Sequence, residues 1–571
     1  MNTEVRFLLA IGLMIAVIVV TNLLFPPITP VGVEEGVAPA VDTPAARAPE
    51  PGPAAPPDLS DLPGTTGVEP EPDTATPPAP PVGEPERFVE VEGPLFAYRF
   101  SSRGARLLSA ELLSFRSFTR EGPVQLVPEG TSVLGSRLVV GQDTLDLREL
   151  PFEVVDGRER IEISPGGPNE TLTFRYAAPS GGFAFEITYA FHADGYLIDA
   201  RGQVRGVDRP LLVTDMGTGL AFNEANLDEE AQSMAYVVNH LDGGINSNQL
   251  SDVESRQVVD GPLLWSALKS KYFVLALMPA TNGTGQDYLG GLLVDPVPEP
   301  HRAHLAGTHT VGSGGEFDFR VFMGPQEYAR LTALGSDLEE VNPYGWRFFR
   351  PVIRPFVSII MTVLVFLHET FDLAYGWVLV VFGVFMRILL WPLNQKAMRA
   401  QMRNMAVQPL LKEIQTKYKD NPEKLQKEMM RLYKEYGFNP VAGCLPMLLP
   451  WPVLISLFFV FQNTIELRGA EFFWIPDLSS PDPIYLLPAV LGISMFLLQF
   501  ISLRSMEESN PQMKMMMWIM PVFMVFIFFN LAAGLNLYYA VSNLATIPQQ
   551  VIIAGERKKA QAKGPVKRTG G

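Results

Sequence analysis

A single cysteine, Cys444, occurs in 571 residues, so no intramolecular disulfide can form and thiol-rich zinc sites are excluded. Cysteine usage therefore names no compartment. Also missing are GxxxxGK(S/T), HExxH and GxSxG. Without them there is no sequence signature for an ATP-driven pump, a zincin protease or an elbow-type serine hydrolase. The stretch HRAHLAGTH places His301, His304 and His309 close together but has no carboxylates at metal-ligand spacing, and it reads as ordinary surface histidines. No metal and no cofactor is expected. The net charge of −16 is unevenly spread, with acid concentrated in particular segments, and it leaves no nucleic-acid footprint. The most telling scarcity is charge within the apolar runs. Six of them, at 7–25, 373–393, 443–464, 484–503, 515–533 and 535–554, contain one charged side chain between them, Arg387.

Runs of about 20 residues match the thickness of a bilayer's hydrocarbon, and the length exceeds what a single core organises. The first run, FLLAIGLMIAVIVVTNLLF, is followed by PPITP rather than by a small-x-small cleavage site, which predicts an uncleaved anchor over 1–25. Residues 26–87 are rich in Pro, Ala and acid with almost no aromatics, a composition that cannot bury enough surface to offset chain entropy. They read as an extended tether. From 88 to 335 the pattern becomes one of alternation, as in TLTFRYA (171–177) and FAFEITYAF (183–191), punctuated by PSGG, ADG and LDGG. This predicts a large antiparallel β-sandwich closed by a short helix in GPQEYARLTAL (324–334). Residues 336–372 form a connection containing PFVSIIMTVLVFL (355–367), which at 13 residues suits an interfacial helix better than a crossing.

Charge bookkeeping sets the orientation. Ten basic residues (Lys396, Arg399, Arg403, Lys412, Lys417, Lys419, Lys424, Lys427, Arg431, Lys434) face five acids in 394–440, and the tail 555–571 is basic too. The loop 465–483 has one basic residue against four acids. The positive-inside rule then places 394–440 and both termini in the cytosol and the β domain outside, which six spans satisfy and seven do not. Within 394–440, two helical patterns with Asp420 or Asn421 as cap, Pro422 at the first helical position and Gly437 as stop predict an antiparallel hairpin. Met398, Met402 and Met405 form a soft stripe on its first helix, open to two readings: packing on the sister helix, or an adaptable surface for unfolded chains.

A central arginine costs roughly 2.5–3.5 kcal/mol on insertion scales, so such residues face a cavity or a partner, or else snorkel. Counted back from Leu393, Arg387 lies about 9 Å inside the cytosolic boundary. In the last run Asn536, Tyr539, Asn543, Thr546 and Gln550 recur every three or four residues, with Tyr538, Ser542 and Gln549 beside them. Interhelical hydrogen bonding is one reading of that stripe. The other is a hydrated cavity, since no span offers an acid to neutralise Arg387.

The stretches YGWVLVVFGVFMRILLWPL, NPVAGCLPMLL, ELRGAEFFWIPDLSSPDPIYLLP and GLNLYYAVSNLATIPQQ resemble the YidC membrane-protein insertase family. WSALKSKYFVLALMP (265–279) and VFMGPQEY (321–328) are similar to the large periplasmic β domain of its Gram-negative members. The resemblance implies a six-helix α-helical polytopic inner-membrane bundle, with a five-helix core at 373–554, plus an all-β periplasmic sandwich domain and cytoplasmic termini. It implies that Arg387 stands in a substrate groove with the polar residues of the last span, and that the hairpin is a mobile cytosolic element. The implied partners are nascent membrane proteins, the lipid bilayer, the Sec translocon and, through the basic tail and hairpin, the ribosome. Where family members read LLxQMP, this chain reads LLPWP with Pro450 and Pro452, which predicts a kink in place of a polar groove contribution. Two other function classes remain: a secondary transporter of an anionic solute, and a membrane-anchored periplasmic binding protein.

Overall fold

Alternation in the sequence becomes pairing in space. The computed structural model describes residues 85–563 apart from 281–286, 343, 346–348, 419–420, 436–450 and 505–510. The anchor at 1–25, nearly all of the tether, Pro450 and the end of the tail therefore lie outside the described residues. Among the described residues, 88–325 fold into a five-stranded and a fourteen-stranded sheet. The alternating segments pair as predicted: strand Glu170–Ala177 runs antiparallel to Ala184–Phe191, with Phe174 opposite Ile187 and Leu172 opposite Tyr189. Their inward residues meet those of the smaller sheet, where the Phe100 ring lies 5.2 Å from Tyr189 and 6.1 Å from Phe174. One apolar core unites the two sheets, so the sandwich reading holds.

One histidine reading is corrected. His309 is not at the surface: it is buried in strand Ala303–Thr310 with its ring 4.3 Å from Phe319, while His304 pairs with Asp215 at 3.0 Å. Alternation across strand Ala303–Thr310 puts these side chains where two sheet faces are covered, which the loop-like composition of the segment conceals.

Within the sandwich a short helix, α1 (Leu227–Ser233), is capped by Asn226, whose side chain accepts from the Glu229 N–H. Helix α2 (Tyr328–Leu334) ends the domain at Gly335, where φ is +81°. The helical region follows as α3 (Arg350–Phe371), α4 (Tyr375–Lys417), α5 (Pro422–Glu435), α6 (Trp451–Asn463), α7 (Leu486–Arg504), α8 (Pro511–Phe528) and α9 (Ala533–Lys563). α3 is longer than the apolar run that marks it in the sequence. Pro351 falls in its first turn, where a missing N–H costs little, Pro355 lies inside the helix and removes one hydrogen bond of the ladder, and His368 to Phe371 extend it at the other end. Its length and composition would allow a crossing, as would those of Tyr375–Pro392, whereas Pro452–Asn463, Leu486–Ser502 and Trp518–Phe528 are shorter apolar helices. α3 buries Ile353, Val357, Ile360, Met361 and Leu364 along one side and exposes Val352, Ile359 and Phe366 on the other.

α4 runs without interruption from the apolar segment into the basic one, so the expected boundary at 393/394 is not a break in the helix. Tyr418 ends it, and the Asn421 side chain accepts the Lys424 N–H at 3.1 Å, making Asn421 the cap of α5 with Pro422 at the first helical position. The predicted pair of helices is present. Pro452 sits in the first turn of the described part of α6. Met398, Met402 and Met405 lie on α4, and their side chains are outside the described set.

The β domain and the helical region meet through the connection 464–483 between α6 and α7. The Glu466 carboxylate accepts the Tyr328 N–H at 3.0 Å, and Arg468 Nε donates to Glu224 at 2.8 Å. Arg354 of α3 pairs with Asp337 and Glu340.

Candidate functional site

Helix α9 lies against both α4 and α7, and this places the polar residues of the last apolar run. Close approach of α4 is possible because Gly383 faces α9: a Cβ there would stand 3.3 Å from Val541 and 3.5 Å from Ser542. One helical turn further along α4, the Arg387 guanidinium donates through Nε to Thr546 Oγ1, which in turn donates to the Ser542 carbonyl at 2.6 Å. Tyr538 lies next to Ser542 and is buried between Phe382 and Phe461, at 5.8 and 5.5 Å. Among the described residues no carboxylate pairs with Arg387. On its outer side Ile388 and Leu389 are exposed, so the arginine stands at the boundary between an exposed apolar surface and the polar side of α9.

The other members of the stripe are distributed. Asn543 donates to Ser494 of α7 at 3.2 Å, a plain interhelical bond. Asn536 donates to the carbonyls of Phe528 and Leu531 at 3.0 and 3.3 Å and so fastens the turn between α8 and α9. Tyr539 packs edge-on against Phe528. Gln550 is half-buried, one turn beyond Thr546. Thus Arg387, Thr546, Ser542 and Tyr538 come together, while Asn536, Tyr539 and Asn543 serve other contacts.

Four residues that sequence reasoning left out or set aside lie on the same helices. Ser494 is buried in α7 as the partner of Asn543, and Gln549 donates to the Trp391 carbonyl of α4 at 3.2 Å. Asn394 Nδ2, two turns beyond Arg387 on α4, and Gln499 Oε1 on α7 are buried without a partner among the described residues. Buried amides are rarely left dry, and water is the usual partner of such groups. Their signal in the sequence is faint, because one polar residue near the end of an apolar run is unremarkable.

Residues 88–357 match the family model described as the YidC periplasmic domain, and 326–561 match the 60Kd inner membrane protein. A relative in Chlorobaculum tepidum, named membrane protein insertase YidC, is 30% identical over 506 residues, covering 84% of this chain and 84% of that protein. The chain belongs to the YidC family. A relative of the same name in Chlorobium limicola is 32% identical over 499 residues, covering 82% of both chains. A crystal structure titled as an active YidC insertase with its first transmembrane domain resolved matches with 18% identity, covering 82% of this chain and 93% of that one at a TM-score of 0.32. Membership of the YidC family brings the coarse assignment with it: a membrane protein insertase of the inner membrane, with a β-rich periplasmic domain and a helical C-terminal region.

Proposed function

We propose that the chain moves nascent membrane segments from the cytosol into the inner membrane through a hydrophilic groove containing Arg387, either alone or beside the Sec translocon. In this reading six helices cross the membrane, both termini are cytoplasmic, residues 26–372 are mainly periplasmic, and α3 lies along the outer interface. The hairpin of α4 and α5, with the basic tail, receives the segment from the ribosome. The observation that carries the reading is the pairing of Arg387 with a hydroxyl and, among the described residues, with no carboxylate, while the Asn394 amide two turns along the same helix is buried with no protein partner among them. Substrates short of charge or with acidic external tails fit such a site best.

The mechanism is physical, with no covalent step. A polar external tail must pass through hydrocarbon, and a wet groove reaching partway shortens the dry distance. A cation whose only described hydrogen-bond partner is neutral keeps its field for the tail's acids, and the membrane potential adds roughly 2.3 kcal/mol per charge per 100 mV. The substrate's apolar stretch then leaves along the exposed faces of α6 and α8, where Trp518, Val522 and Phe526 already point outward. Apolar burial in lipid drives the step. Reconstituted insertion of a small substrate with an acidic tail tests the reading: Arg387→Ala should impair it and Arg387→Lys should largely preserve it. Equal rates for Ala and wild type would refute the role of the charge.

A further inference from the structure

The segment after α6 folds back over the end of the bundle on which the β domain sits. Leu467, Phe472, Ile475 and Leu478 are buried there against Val378 and Leu379 of α4 and Ala533 and Leu535 of α9. Phe472 lies so close to Gly376 that a Cβ at that glycine would come within 2.1 Å of its ring. Backbone bonds finish the closure: the Gly534 N–H donates to the Leu478 carbonyl at 2.8 Å and the Ala533 N–H to the Ser480 carbonyl at 2.7 Å. Apart from a single helical turn at Ile465–Leu467, the described part of this stopper has no regular structure of its own. The Asp477 carboxylate ties its turns together by accepting the Gly469 and Ser479 N–H groups, each at 2.9 Å, and something beyond the bundle holds it too.

Alternate residues of the sequence IELR show what does. Ile465 belongs to the apolar core of the β domain, and Leu467, two residues later, to that of the bundle. Glu466 and Arg468 both reach into the β domain. The Arg468 side chain is 3% exposed and pairs with a Glu224 side chain 9% exposed. Its Nη2 donates to the Arg116 carbonyl at 2.9 Å, and its guanidinium carbon stands 4.4 Å from the Phe118 ring centroid and 5.3 Å from that of Phe273. Glu230 fixes the acid's position by accepting the backbone N–H groups of Asn223 and Glu224, each at 2.9 Å. An ion pair this dry, sandwiched by aromatics and braced from behind, is a geometric pin.

We propose that the β domain acts as a clamp on the stopper, with Arg468 as the pin, so that the outer end of the bundle stays shut while a segment occupies the groove. This function is independent of how Arg387 works, and it does not require the clamp for insertion itself. Hydrogen exchange on the full chain in lipid nanodiscs tests it. Arg468→Ala should speed exchange of the Leu478, Ala533 and Gly534 amides about ten-fold, and so should Glu224→Gln, 244 residues away, with the centres of α4 and α9 unchanged. If both variants stay within about two-fold of wild type, or if only Arg468→Ala responds, the clamp is wrong. The second outcome would make Arg468 a local support of its own loop. Should Glu224→Gln loosen the whole sandwich, seen as faster exchange in strand Glu170–Ala177, Phe118→Ala replaces it. That variant strips the aromatic cover without touching a charge, and the same two outcomes decide.

Discussion

Two arginines divide this molecule's electrostatics between them. Arg468 at the seam has a carboxylate, two carbonyls and two aromatic rings, and is sealed from water. Arg387 in the bundle is half-buried and, among the described residues, hydrogen-bonds one hydroxyl. A fully matched charge is immobile and structural, because removing it strands its partner. A half-matched charge is available to whatever passes. The β domain and the bundle follow the same division: one core fixed by interlocked aromatics, the other by helices whose outer faces stay apolar and unpartnered.

The sharpest way to break the contrast is Arg468→Ala. It leaves Glu224 buried and uncompensated, and the seam should lose ~3–5 kcal/mol, read as the first transition in thermal or denaturant unfolding of the full chain. Replacing the pair together by Met and Leu should cost much less. Arg387→Ala removes no paired acid, so its unfolding curve should barely move, while insertion of an acidic-tailed substrate falls on the order of ten-fold and that of a neutral-tailed one changes little. Thr546→Val tests the single hydroxyl that positions Arg387. A net loss of ~1 kcal/mol, or a several-fold slower insertion, is expected, with Arg387 labelling by a guanidine-reactive probe increased. Ser494→Ala should cost ~0.6 kcal/mol, because Asn543 can find another partner within the bundle.

A further effect is one of pH. Burial pushes the Glu230 carboxyl up to about 7, opposed by its hydrogen bonds from the backbone of Glu224 and Asn223 and by Arg468, and reinforced by the neighbouring Glu224; Arg302 faces it as well. The folded state therefore holds a proton that the unfolded chain releases near 4.5. Its contribution to stability is greatest below that value and is lost as pH rises to about 7. Glu230→Gln should flatten the decline of the β domain's melting temperature over that window.

The legible and illegible parts of the chain separate on physical grounds. Strands 170–177 and 184–191 announce themselves because one face is buried and the other wet, which writes a period of two into the residues. Asn421 and Pro422 mark a helix start for equally local reasons. Arg387 stands out because charge within an apolar run is rare. Arg468 gave no such signal: in the sequence it is one base in an acidic loop, and Glu224 lies 244 positions away. Burial of His309 and Glu230 depends on distant strands and a distant loop, so their neighbours in the chain say nothing of it. The polar stripe of α9 was readable as a stripe. Its division among α4, α7 and the α8 turn was not, because periodicity reports a face and not what lies opposite.

α4 spans 43 residues, about 65 Å at the rise of an ideal helix, and Arg387 rides on it twelve positions from its first residue. Pro392 and Pro409 stand within it, and each removes a hydrogen bond from the ladder and marks a place where the helix can bend. Pro392, five residues past Arg387, therefore leaves the guanidinium and its Thr546 contact on one side of a weak point and the basic end of the helix on the other, so that the two ends can move apart in angle without breaking that contact.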